Sequence, residues 1–307
     1  MRSILVTGGC GFIGSHTCVS LLREGFKIFV IDSNINSSPK SLESVLKIFK
    51  NQGKNHQENI YFFKGDICNL KDVEKVFYTA KKLGFSIEGV IHFAGLKSVS
   101  ESIKNPLLYW MNNVYGTLNL LKIMEKYACF TIVFSSSATV YGVNDDNLIT
   151  ELSEVKPINP YGRTKLIIEN VLKDLFDSNK DLWRIINLRY FNPIGAHSSG
   201  LIGERPVGIP NNLFPYICQV GNKEKDLLQI FGNDWPTNDG TCIRDFIHVM
   251  DLAEAHLNSI NFLINNDNSK YLILNIGTGK GTSVLELVRV FEKVNNCKIP
   301  LEFVERR

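Results

Sequence analysis

Short, wholly apolar runs alternate with stretches of helical spacing along the first ninety residues. Ile4-Leu5-Val6 stops at Gly8-Gly9, residues 13–23 carry a helical pattern closed by Gly25, and the KIFVI run at 27–31 is again apolar. Helical spacing returns at 41–50 and 70–83, with short runs at 61–63 and 89–92. Uniformly apolar runs, rather than alternating ones, mark strands covered on both faces, which predicts a parallel sheet between layers of helices. Leu107, Met111, Val114, Leu118, Leu121, Met124 and Ala128 then recur at steps of three and four, one face of a long helix. A strand over 131–134 ends in Ser135-Ser136-Ser137. Asn159-Pro160 is an N-cap followed by proline at the first helical position, opening a second long helix to about residue 175. A further strand falls within 182–188.

Beyond Asn192 the texture changes. Residues 193–245 are rich in Gly, Pro and Asn, which predicts a smaller, looped unit. Periodic segments resume at 246–247, 252–260, 272–276 and 284–294, and a strand-like stretch covers 299–304. The expected layout is a main domain over 1–191, rejoined by segments around 246–277, and a smaller α/β unit over 192–307.

Composition narrows the class. With 307 residues, 44% hydrophobic and 21% charged, the chain is globular and long enough to bury a core without disulfide or metal staples. Thirty-four basic residues oppose 31 acidic ones and no basic block stands out, so no nucleic-acid or anionic-membrane partner is expected. The seven cysteines are odd in number and form no C-x-x-C pair, which argues against a disulfide framework or zinc site and suits a reducing, cytoplasmic compartment. No apolar run approaches the ~18 residues of a membrane-spanning helix.

Two constellations carry chemistry. In Thr7-Gly8-Gly9-Cys10-Gly11-Phe12-Ile13-Gly14, glycines 9, 11 and 14 form G-x-G-x-x-G between a predicted strand and a predicted helix. Glycine there allows a tight turn and close approach of a pyrophosphate to a helix N-terminus. Asp32 ends the next strand, where a carboxylate binds ribose hydroxyls of NAD and repels the 2′-phosphate of NADP. Together these predict a Rossmann-type doubly wound parallel sheet holding NAD. The second is Tyr161-Gly162-Arg163-Thr164-Lys165, whose i, i+4 spacing puts Tyr161 and Lys165 on one helix face. A phenol of pKa ~10 becomes a base only beside a cation, which Lys165 and the helix N-terminus supply. Ser137, at a strand end, is placed to share the proton.

These motifs, with HFAGLKSVSES from His92, FSSSATVYG from Phe134, LRYFNPIGAH from Leu188, GIPNNLFPYI from Gly208 and FGNDWPTNDGTCIRDFIHV from Phe231, resemble the extended short-chain dehydrogenase/reductases, and within them the UDP-hexose 4-epimerase branch. The resemblance runs through essentially the whole chain. It implies interconversion of UDP-glucose and UDP-galactose by transient oxidation at C4, rotation of the 4-keto sugar and hydride return to the other face. NAD would stay tightly bound and not be consumed. Gly8, Gly11, Phe12, Ile13, Gly14, Asp32, Ser33, Asn36, Ser37, Asp66, Ile67, Phe93, Ala94, Gly95, Lys97, Asn112 and Phe191 would line the NAD site together with Ser137, Tyr161 and Lys165. Tyr161, Lys165 and Ser137 would be catalytic. Asn192, Asn212, Leu213, Gln229, Ile230, Phe231, Arg244 and Arg307, with Lys97, Ser137 and Tyr161, would hold the UDP-sugar. A homodimer through the two long helices is also implied.

Ser33 stands where the branch usually has Asn, and Phe12 where Tyr is common. Branch members normally continue several tens of residues past the position of Arg307, so the smaller unit is expected to be C-terminally incomplete. Two alternatives remain at this point. A nucleotide-sugar 4,6-dehydratase or decarboxylase would need an acid near the tyrosine, but Ala138, Thr139 and Val140 follow the serines. A non-catalytic NAD-binding module would usually have lost the Tyr161–Lys165 pair.

Overall fold

The computed structural model describes residues 2–143, 148–206, 210, 212–266 and 268–306. In chain order the strands and helices are β1 (Ser3–Thr7), α1 (Phe12–Arg23), β2 (Lys27–Asp32), α2 (Lys40–Asn51), β3 (Ile60–Lys64), α3 (Leu70–Lys82), β4 (Ile87–His92), α4 (Val99–Lys104), α5 (Pro106–Tyr109) and α6 (Gly116–Lys126). There follow β5 (Thr131–Ser137), α7 (Pro160–Ser178), β6 (Arg184–Tyr190), β7 (Asn192–Ile194), α8 (Leu213–Gly221), β8 (Leu228–Phe231), β9 (Ile243–His248), α9 (Val249–Asn265), β10 (Lys270–Ile276), β11 (Gly281–Ser283), α10 (Val284–Asn295) and β12 (Leu301–Val304).

The main sheet has seven strands in the order β10-β6-β5-β4-β1-β2-β3, every pairing parallel. Its fold is the Rossmann-type α/β arrangement. Chain order reverses between β1 and β4, and ligands of such sheets bind outside the strand carboxyl ends at that reversal. The apolar strands are covered on both faces. One cluster packs Ile4, Val6, Ile28 and Val30 against α1, α2 and α9 through Leu21, Leu22, Val45 and Leu257. The other packs Leu5, Phe29, Val90 and Ile132 against α3, α6 and α7 through Val76, Leu120 and Leu172.

After β6 the chain builds two small sheets, β11-β9-β7 and β12-β8. Ile217, Val220, Leu228, Ile230, Val288 and Ile299 form a third cluster, in which β8 packs with α8 and α10. The chain re-enters the main body as α9, packed on α1, and as β10, which pairs with β6 from Lys270↔Arg184 to Ile276↔Tyr190. Ile243–His248 stays in the three-stranded sheet, paired with β7 and β11.

The long helix expected over 107–128 is not one regular α-helix. A π turn over Trp110–Tyr115 separates α5 from α6. Apolar steps of three and four survive such an insertion, so periodicity does not reveal it, and π turns concentrate at functional sites. The second long helix begins as its sequence dictates: Asn159 accepts from the Gly162 amide at 2.8 Å and Pro160 occupies the first turn.

Candidate active site

Because the main strands are parallel, their carboxyl ends share one edge. The residues there are the glycine turn after β1, Asp32 at the end of β2, Asp66 after β3, Phe93–Lys97 after β4, Ser137 at the end of β5 and Phe191 after β6. Strand direction alone gathers most of the expected NAD-site residues.

The glycine turn is shaped by contacts that no side chain could share. Gly8 has φ +70°, and a Cβ there would lie 2.8 Å from the Ala94 nitrogen. A Cβ on Gly14 would lie 2.7 Å from the Gly9 Cα and run into the Gly8 carbonyl. Gly11 is the N-cap of α1 and offers no side-chain cap, so the amides of the first turn, at Phe12 and Ile13, meet no capping side chain. An uncapped helix start beside a glycine turn suits a phosphate.

Asp32 is 8% exposed. Its Oδ2 accepts from the Cys10 amide at 2.9 Å, and its Oδ1 from the Asn34 amide at 2.9 Å and the Ser37 hydroxyl at 2.7 Å. A carboxylate offers about four acceptor positions, so one remains for a ribose hydroxyl. Ser33 is half-buried and Asn36 exposed beside it. Asp66 accepts from the Cys68 amide, whereas the Ile67 side chain is buried against Gly116 and leaves only its backbone for a ligand.

The loop after β4 is fastened by Asn113, which the sequence reading did not single out. Its Oδ1 accepts from the Leu96 amide at 2.8 Å, and its Nδ2 donates to the Leu96 carbonyl at 3.0 Å and the Thr164 hydroxyl at 3.2 Å. The Asn112-Asn113 pair inside an apolar helix was the available signal, and Asn112, the one named, is only half-buried. Beneath lies His92. The Thr117 hydroxyl donates to the Asn113 carbonyl at 2.6 Å, so it accepts from His92 Nε2, and His92 Nδ1 in turn accepts from Thr7. This neutral arrangement agrees with burial pulling the His92 pKa down to about 3.

Tyr161 and Lys165 face the end of β5 from the first turns of α7. Lys165 is 5% exposed and donates to the Ser135 carbonyl at 2.7 Å. Its ammonium lies 5.8 Å from the Tyr161 ring centroid and 4.9 Å from that of Phe134. Burial pulls the Lys165 pKa down to about 8, with Glu169 opposing. Burial also pushes the Tyr161 phenol up, and its hydrogen bond with Ser137 pulls the other way. Ser137 Oγ additionally accepts from the Thr139 hydroxyl at 3.0 Å.

The expected sugar-nucleotide residues are more dispersed. Asn192 is exposed at the start of β7, and Phe191 packs close to Gly277. Lys97 and Asn212 meet on one carboxylate: Glu204 Oε1 is 3.1 Å from Lys97 Nζ and 2.6 Å from Asn212 Nδ2. Leu213 opens α8. Gln229 is exposed and donates to Glu302 at 3.0 Å, and Phe231 is half-buried. Ile230 departs from its expected place. Alternation along β8 turns its side chain into the core of the smaller unit, so a ligand could meet only its backbone. Arg244 is exposed. Arg307 lies outside the described residues.

A family model described as the NAD dependent epimerase/dehydratase family matches residues 4–277. The chain belongs to that family. It is 49% identical over 305 residues to the UDP-glucose 4-epimerase of Bacillus subtilis (strain 168), covering 99% of this chain and 86% of the relative. It is 47% identical over 306 residues to a bifunctional UDP-glucose 4-epimerase and UDP-xylose 4-epimerase of Pisum sativum, covering 100% and 85%. Among solved structures, the Bifidobacterium longum UDP-glucose 4-epimerase in complex with NAD+ and UDP superposes with a TM-score of 0.90. It is 43% identical, with 100% of this chain and 87% of that one covered. Within this epimerase/dehydratase family the glycine turn, Asp32 and the uncapped start of α1 fit NAD.

Proposed function

We propose that this protein is an NAD-dependent isomerase that interconverts UDP-glucose and UDP-galactose by transient oxidation at C4 and turning of the 4-keto sugar. The carrying observation is the convergence of Ser137, Tyr161 and Lys165 on the edge that holds the glycine turn, in a chain similar over its whole length to UDP-glucose 4-epimerases. When bound, NAD supplies a reversible acceptor for the C4 hydrogen.

The chain's own groups handle the proton and the orientation. A sugar C–H is not acidic, so inversion needs the C4 hydroxyl deprotonated while the hydrogen leaves. Tyr161 is the base, Lys165 lowers the cost of its phenolate, and Ser137 shares the proton. The first-turn amides at Phe12 and Ile13 hold the dinucleotide phosphates, and Asp32 holds a ribose. Asp66, Ile67, Phe93, Ala94, Gly95 and Asn112 enclose the rest. Lys97, Asn192, Asn212, Leu213, Gln229, Phe231, Arg244 and Arg307 are the UDP-sugar contacts. Uracil needs amide-like partners, and a diphosphate needs a guanidinium or ammonium. Binding through UDP leaves the hexose free to turn.

The test is to mix purified protein with UDP-galactose carrying deuterium at C4, adding no cofactor. UDP-glucose with the label retained is the expected product. Loss of the label to solvent, or release of water or CO2 from the sugar, would overturn the reading.

We further propose a homodimer working in the cytoplasm. Ile103, Leu107, Leu108, Met111, Tyr115 and Leu118 are exposed along α4–α6, with Leu107 77% exposed, and Ile167 is exposed on neighbouring α7. A second copy presenting the same face would bury both. Light scattering on the purified protein should give twice the chain mass. No helix among the described residues is long and apolar enough to cross a membrane.

A further inference from the structure

The face of α7 that carries Tyr161 and Lys165 carries a third group at the same spacing, Glu169. Its side chain is 2% exposed. It accepts from the Ser136 hydroxyl at 2.5 Å and from Arg189 through Nε at 3.0 Å and Nη2 at 2.5 Å. Ser136 and Arg189 are register partners on β5 and β6, so the carboxylate is clamped by two adjacent strands. Arg189 Nη1 donates onward to the Tyr141 hydroxyl at 3.1 Å, which donates to Asn275 Oδ1 on β10 at 2.6 Å.

A buried ion pair is a poor stabiliser, because hydrophobic residues of similar volume serve as well or better. Its position suggests another use. Lys165 is a buried cation whose hydrogen-bond acceptor is a neutral carbonyl. Among the described residues, the titratable and charged groups on the elements about it are Tyr161 and Glu169 on α7, Arg189 and Tyr190 on β6, and His92 on β4, while β5 itself carries no titratable residue. His92 is neutral, and burial raises the pKa of Tyr190 so that its phenol keeps its proton. Glu169 is the carboxylate in this set. It is also the charged neighbour that opposes the loss of the Lys165 proton.

We propose that Glu169 is a positioning residue for the proton-transfer pair. Clamped by Arg189 and Ser136, its carboxylate keeps the buried Lys165 ammonium charged, and that charge keeps the Tyr161 phenol acidic enough to act as base. This rests on the role of Tyr161 proposed above.

The test compares wild type, Glu169→Gln, Glu169→Asp and the double variant Glu169→Gln with Arg189→Met, each as NAD-loaded protein. The double variant also removes the guanidinium that Glu169→Gln alone would strand, and covers the case in which that single variant does not fold. Two readouts are taken: the pH profile of kcat, and the titration of Tyr161 followed by NMR of 13Cζ-labelled tyrosine, assigned with Tyr161→Phe. In the Gln variants Tyr161 should titrate at least one pH unit higher, the acid limb of kcat should move with it, and kcat at pH 7 should fall tenfold or more with KM little changed. Glu169→Asp should recover part of the shift. A folded double variant whose Tyr161 titrates as in wild type would overturn the proposal, even if its rate or melting temperature had fallen. The NMR titration does not depend on turnover. A wild-type protein that fails to epimerise would therefore sink the reaction assignment while leaving this proposal separately decided.

Discussion

The Lys165 ammonium is tied to the main-chain carbonyl of Ser135 at 2.7 Å, not to the Tyr161 phenol. The cation is thus fixed to the sheet and sits 5.8 Å from the Tyr161 ring centroid, so in the proposed mechanism it would act on the phenol through its field rather than by sharing a proton. The proposed proton exchange then falls to Tyr161 and Ser137, which are hydrogen-bonded to each other at the end of β5.

Tyr161→Phe should therefore abolish chemistry and little else. Loss of a positioned base costs roughly 10²–10⁴-fold in rate. We expect kcat to fall by that amount, with NAD recovered in full on denaturation and an unchanged melting temperature. Turnover near the wild-type rate would remove Tyr161 from the mechanism.

Gly14→Ala tests the phosphate turn. The added carbon would sit 2.7 Å from the Gly9 Cα and collide with the Gly8 carbonyl, all backbone that no rotamer change can clear. Overpacking of this kind costs about 1–3 kcal/mol. We expect a lower denaturant midpoint and protein that purifies without NAD. Full cofactor occupancy would show that the turn can yield.

Asp32→Asn keeps the shape of the side chain and removes its charge. Hydrogen bonds to charged groups are worth about 1.5–3 kcal/mol, so NAD affinity should fall roughly ten- to a hundredfold. Discrimination against NADP should shrink as well, because the repulsion of the 2′-phosphate is gone. Calorimetric titration of cofactor-stripped protein with both dinucleotides measures this, and an unaltered preference would place the discrimination elsewhere.

Acid should weaken the fold through three histidines. Burial pulls His16 and His256 down to about 4 and His92 to about 3. Their unfolded values lie near 6.5. Between roughly pH 4 and 6.5 the unfolded chain binds protons that the folded chain refuses, so stability is complete above that window and lost as pH falls through it. Each group contributes at most about 1.4 kcal/mol per pH unit there. The urea midpoint should drop steadily from pH 7 to 5, and a flat profile would contradict the buried neutral state.

The legible parts of the site were those set by local backbone chemistry. The glycine spacing, Asp32 at a strand end, the Asn159-Pro160 cap and the Tyr161–Lys165 step each announce themselves within a few residues. What stayed hidden depends on meetings between distant segments. Glu169 finds Arg189 and Ser136 only because β5 and β6 are neighbours, and Glu204 meets Lys97 across a sequence separation of 107 residues. Asn113 was masked by an apolar helix pattern into which the π turn fits without breaking the rhythm. The substrate-side residues were the hardest to place, since the Ile230 side chain serves packing and neither loop composition nor spacing distinguishes that use from a contact.

The pairing of β10 with β6 has a consequence for the protein's birth. On the ribosome β6 is made long before its outer neighbour, and neither small sheet is complete by then, because β11 and β12 follow β10 in the chain. Until 270–276 emerge, the nascent sheet presents the bare edge of β6. Such edges invite foreign strands. The hazard in synthesis therefore falls late, and slow translation through α9 and β10 would prolong it.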